Sequence, residues 1–83
     1  MSRYCYELGY YARDDVTECI QLSLRDVAKD FERSNETISP MYSLYLEINA
    51  VNKLFITIMA HSYERPETIF EYNYTWELIG KRR

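Results

Sequence analysis

Glycine is nearly missing from this chain, with two in 83 residues, and proline, cysteine and histidine are as scarce at two, two and one. Each shortage removes a class of function. Without a glycine-rich turn there is no loop to cradle a phosphate group, and no short motif of that kind occurs. The single histidine, His61, has no ligand-spaced companion, so no metal site is expected and no cofactor is implied. Cys5 and His61 could share one sheet face, but nothing local supports a Cys–His nucleophile pair. No catalytic residue is assigned, and an enzyme is not expected. Long apolar runs are missing as well. The longest, Leu54 to Ala60, has the length of a strand, far short of the roughly 18–20 residues that cross a bilayer. No apolar stretch of signal-peptide type follows Arg3. The expectation is a cytoplasmic protein without membrane contact.

Aromatic residues are what the chain has in quantity: nine tyrosines, three phenylalanines and one tryptophan. They fall mostly at every second position of short runs, as in Tyr4, Tyr6, Leu8, Tyr10 and in Phe70, Tyr72, Tyr74, Trp76, Leu78. Period-two alternation marks a strand with one buried face. Tyrosine suits that face because its ring packs on the core while its hydroxyl reaches the wet edge. The first strand is expected from about Arg3 to Ala12. A helix follows, opened by Asp14 and Asp15, with Asp15 and Glu18 at capping-box spacing. Val16, Ile20, Leu24, Val27 and Phe31 form its apolar stripe, flanked by Cys19 and Ala28. Pro40 closes a polar connection, and alternation resumes at Tyr42, Leu44, Leu46 and Ile48. Residues 49–53 read as a hairpin loop. The third strand, from Leu54 to about Tyr63, is apolar on both faces, which predicts a central place in the sheet. The fourth spans Thr68 to Ile79.

The order is thus β-α-β-β-β, and the expected fold is α+β: one helix packed on a four-stranded, mostly antiparallel sheet in two layers. Residues 1–79 form a single domain and 80–83 a frayed basic tail. If the helix covers the row of Tyr4, Tyr6 and Leu8, Cys5 points to the opposite face and cannot reach Cys19. Free thiols in a reducing compartment are then expected.

The formal charge is −3. Three of the ten bases are Lys81, Arg82 and Arg83, so the body without its tail stands near −6. Such a body repels a phosphate backbone, and direct nucleic-acid binding is not expected. One helix can cover only one sheet face. The other collects Tyr45, Phe55 and Met59, with His61 close by and Glu7, Glu47, Glu71 and Glu77 at the flanks. An apolar centre with a charged rim has the anatomy of a protein interface. A second acidic surface lies on the helix, at Glu18, Asp26, Asp30 and Glu32.

Three readings follow from this face. It could dock a basic protein surface of an enzyme or nucleoprotein complex. It could pair with itself, or through an open strand edge, in a homodimer that serves a larger assembly. It could stack single-stranded RNA on its aromatics, against which its four glutamates count. In general character the chain is similar to small inhibitors of phages and mobile elements: antitoxins, immunity proteins and anti-defence proteins such as anti-CRISPRs. That resemblance, one of composition, implies a stoichiometric inhibitor or adaptor that occludes a basic functional surface. Tyr45, Phe55 and Met59 would then be anchors and the glutamates an electrostatic rim.

Overall fold

The computed structural model describes residues 2–7, 13–49 and 53–81, with side chains over 16–49 and 53–77. The elements are β1 (Ser2–Glu7), α1 (Arg13–Arg33), β2 (Ser43–Ile48), β3 (Lys53–Ala60) and β4 (Phe70–Lys81). The fold is α+β, one helix against the antiparallel sheet β2-β3-β4. β1 runs parallel along the outer edge of β4, giving the order β1-β4-β3-β2. The doubly apolar third strand is interior, as its pattern predicts. Helix-side Leu54, Ile56, Ile58 and Ala60 are all buried. Element ends move by a few residues. Asp15 falls inside the first turn of α1 rather than at its cap, and Gly80 and Lys81 belong to β4.

The helix ends where Asn35 takes a left-handed conformation at φ 58°. Glu36 N–H donates to the Phe31 carbonyl and Asn35 N–H to that of Glu32, both at 3.0 Å. This is a Schellman closure with asparagine in place of the usual glycine, a substitution its short polar side chain tolerates. The buried face runs Cys19, Ser23, Val27, Phe31 at strict i+4 spacing, with Val16, Ile20 and Leu24 packed beside it. Ser23 is the polar member of that row. Its hydroxyl donates to the Cys19 carbonyl at 2.9 Å and accepts from Trp76 Nε1 at 2.8 Å. A buried indole N–H needs an acceptor. Ser23→Ala would strand it, at an expected cost of about 1–3 kcal/mol in unfolding free energy by denaturant titration; an unchanged midpoint would remove the role.

A helix is about 10 Å across and strands are about 4.8 Å apart, so one helix covers two to three strands. Among the described residues α1 packs over β1, β3 and β4 and does not reach β2. Leu46 and Ile48, in the row expected to face the helix, are therefore 45% and 44% exposed.

The first strand departs from expectation by one residue. Backbone register pairs Arg3 with Trp76 and Cys5 with Leu78, and pairs Tyr4 with Glu77 and Tyr6 with Ile79. Cys5 thus shares the row of helix-facing Trp76, while Tyr4 and Tyr6 share the alternate row. A one-residue slip exchanges faces because the side-chain period is two. The same slip undoes the thiol expectation: Cys19 is disulfide-bonded, no described cysteine is free, and Cys5 is the chain's one other cysteine. The inference of a reducing compartment loses its basis with it.

A polar latch ties the α1–β2 connection to the β3–β4 turn. Arg65 donates to both Glu36 carboxylate oxygens, through Nε at 3.0 Å and Nη2 at 2.6 Å, and Ser62 Oγ donates to Glu36 Oε1 at 2.6 Å. The Arg65 guanidinium also lies 4.9 Å from the Phe70 ring centroid. Hydrogen bonds from Arg65 and Ser62 hold the Glu36 carboxyl below its ordinary value. A lowered folded value means this stabilisation is present above the ordinary carboxyl range and fades as pH falls through the folded value. Between about pH 6 and about pH 3 the unfolding midpoint of Glu36→Gln should fall less than that of the wild type. Parallel curves would show the latch to be inert.

Candidate partner-binding face

The sheet face opposite α1 is built by three antiparallel rows. Ser43 stands opposite Met59 and Met59 opposite Glu71. Tyr45 stands opposite Thr57 and Thr57 opposite Asn73. Glu47 stands opposite Phe55 and Phe55 opposite Thr75. Alternation along β3 aims Phe55, Thr57 and Met59 away from the helix because Leu54, Ile56 and Ile58 are committed to the core. Tyr45 is 58% exposed and Phe55 36%. They are diagonal neighbours across β2 and β3, a spacing of about 7–8 Å that long aromatic side chains bridge. Thr57 Oγ1 donates to Asn73 Oδ1 at 2.9 Å, and Asn73 Nδ2 donates to Glu71 Oε2 at 3.0 Å, which fixes the polar strip beside them.

Tyr45, Met59 and His61 meet in one shallow concavity of about 630 Å³, with Met41, Tyr42, Ser43 and Ile69 completing its lining. Phe55 lies outside this concavity, beside Glu47. Met41, 77% exposed, and Ile69 are apolar residues of the face that strand patterning misses. Both sit just before a strand of the structure begins, although Ile69 falls inside the expected fourth strand, at an odd position of the open-face row.

Of the expected acidic rim, Glu47 and Glu71 are exposed and flank the aromatic centre on opposite sides. Glu77 stands opposite Lys53, a base on the same face that offsets its charge. The Glu7 side chain lies outside the described residues. Register gives Cys5 the opposite row from this face, so a Cys5–His61 pair does not share it. No group of three or more metal-ligating side chains occurs among the described residues. Among them, too, no helix is long and apolar enough to cross a membrane.

The chain matches no protein-family model, no curated protein and no solved structure. Its chemistry is therefore read from its own surfaces. Half of the acidic helix surface is occupied with holding the fold. Tyr72 Oη donates to Asp30 Oδ2 at 2.7 Å and Tyr74 Oη to Asp26 Oδ2 at 2.8 Å. Burial and the hydrogen bond to Asp30 push the Tyr72 phenol well above its ordinary range, so it remains a donor at any ordinary pH. Two of the four helix carboxylates are thus bonded within the molecule. On the sheet face, Glu47 projects to solvent beside exposed aromatics.

Proposed function

We propose that this protein is a small acidic protein-binding inhibitor or adaptor, of antitoxin, immunity or phage anti-defence type, that occludes a basic functional surface of an enzyme or nucleic-acid-binding complex. The observation that carries the reading is the open sheet face, where exposed Tyr45 and Phe55, together with Met59 and His61, stand between Glu47 and Glu71. Aromatic and methionine side chains gathered at a centre with carboxylates at the flank match the composition of interface cores and rims. The carboxylates would speed encounter with a basic groove, and the aromatic centre would slow dissociation.

A cytoplasmic setting was the expectation for such a protein. The disulfide at Cys19 favours instead those members of the class that meet their target outside a reducing cytosol.

The test is affinity capture from source-cell lysate at low and high salt, with nuclease-treated controls and identification by mass spectrometry. One basic protein or nucleoprotein, kept after nuclease and weakened by salt, is the expected result. Capture lost on nuclease treatment would replace the reading with RNA stacking on the same aromatics.

A further inference from the structure

We infer that the outer edge of β2 is a self-pairing interface, on which a second copy of this chain adds its own β2 in antiparallel register to make one continuous sheet. Among the described residues β2 pairs only with β3, so its other edge presents a row of unpaired backbone donors and acceptors. Edge strands are ordinarily guarded by lysine, proline, a bulge or a covering element. Among the described residues β2 has none of these from Ser43 to Ile48. Its one charge is Glu47, its register against β3 is unbroken from end to end, and α1 does not reach it. The opposite edge differs: β1 carries Arg3 and Glu7 in its sequence and has a register break between Tyr6 and Glu7.

Exposed apolar side chains concentrate around the unguarded strand. Leu46 and Ile48 are exposed on its helix side, Tyr45 on the other, and Tyr42 just before its start. Beside it, a groove of about 400 Å³ runs between α1 and the approach to β2, lined by Leu24, Ala28, Ile38 and Tyr42.

The sequence of β2 complements itself. With a twofold axis through Leu46, normal to the sheet, Leu46 faces Leu46 of the partner subunit and Leu44 faces Ile48 of the partner subunit. Tyr45 then faces Glu47 of the partner subunit. Three apolar pairs form on the uncovered helix side, and no carboxylate faces another. A different protein would have to supply the same two-faced pattern, which a second copy carries by construction. Five paired residues a side, 44–48, make a small interface, so the dimer should be of micromolar strength. In it the two open faces lie side by side, doubling the width of the aromatic surface. The edge contact is separate from the partner contact proposed above, and the variants below tell the two apart.

Sedimentation equilibrium on the oxidised full chain, from about 1 to about 200 micromolar, is the test. The wild type should form a dimer, and Leu46→Lys should weaken it by about 30-fold or more, because paired ammonium groups would meet at the axis. Ile48→Lys should weaken it too, and Phe55→Ser, on β3 outside the pairing, should leave it intact. Leu46 and Ile48 are already half exposed, so these lysines should leave the circular dichroism spectrum unchanged. A wild type that stays monomeric throughout would overturn the inference. So would a dimer that survives both lysines, and if that dimer dissolves in Phe55→Ser, the open face itself is the self-contact.

Discussion

A protein carrying Tyr45→Ser and Phe55→Ser together is expected to lose about three orders of magnitude in affinity for its captured partner, while unfolding within a few degrees of the wild type. Two aromatic anchors at the centre of an interface are worth about 2 kcal/mol or more each when truncated, and every 1.4 kcal/mol is about tenfold. The fold should tolerate the change because neither ring belongs to the core: Cys19, Val27, Phe31, Leu54, Ile56, Ile58, Ala60, Tyr74 and Trp76 hold that role. The loss should appear mainly as faster dissociation, since anchors act after encounter. Exchanging Glu47 and Glu71 for lysine should instead slow association and flatten its salt dependence. Binding at wild-type strength in the double serine variant would eliminate the open face as the site, and the exposed helix carboxylates Glu18 and Glu32 would become the surface to test.

What could be read in the sequence was whatever depends on neighbours along the chain. The doubly apolar run at Leu54–Ala60 announces an interior strand, and Val16 through Phe31 announces a helix with one buried stripe. Both elements form because period is a local consequence of backbone geometry, but the helix's buried row is Cys19, Ser23, Val27 and Phe31, with Val16, Ile20 and Leu24 only partly buried beside it. Ser23 was not legible. Nothing in its own segment marks it for burial; the reason is Trp76, 53 positions away, whose indole N–H it accepts. The latch of Glu36, Ser62 and Arg65 joins two connections that look like ordinary polar loops when read separately.

The candidate face was legible in part, with Phe55 lying outside the concavity that gathers Tyr45, Met59 and His61. Tyr45, Met59 and His61 converge because β2 and β3 form an antiparallel hairpin whose rows follow from alternation alone. Met41 and Ile69 join them from just outside the strands. The face assigned to β1 was one residue out because its partner is β4, at the far end of the chain and parallel. That register is set by long-range pairing, not by the strand's own tyrosines. The misplaced face is also why Cys5 and Cys19 read as free thiols.

Cys19→Ser, or reduction of the wild type, should lower stability by about 3 kcal/mol. Cys5 is the only other cysteine in the chain, and closing a loop of about 15 residues removes that much freedom from the unfolded state. A domain of this size has a total stability of roughly 4–12 kcal/mol, so the loss is a large share of it. Thermal unfolding should drop by about 12–24 °C. Amide exchange should quicken first in β1, whose one strand neighbour among the described residues is β4. The proposed anchors Tyr45, Phe55 and Met59 sit on β2 and β3, whose hairpin pairing does not involve β1. Below its lowered midpoint, the reduced protein should therefore bind its partner with wild-type affinity. Equal midpoints for oxidised wild type and Cys19→Ser would show that the disulfide adds nothing to the fold. Loss of binding at temperatures where the reduced protein is still folded would mean that β1, with Tyr4 and Tyr6 in the row of Glu77 and Ile79, belongs to the partner surface.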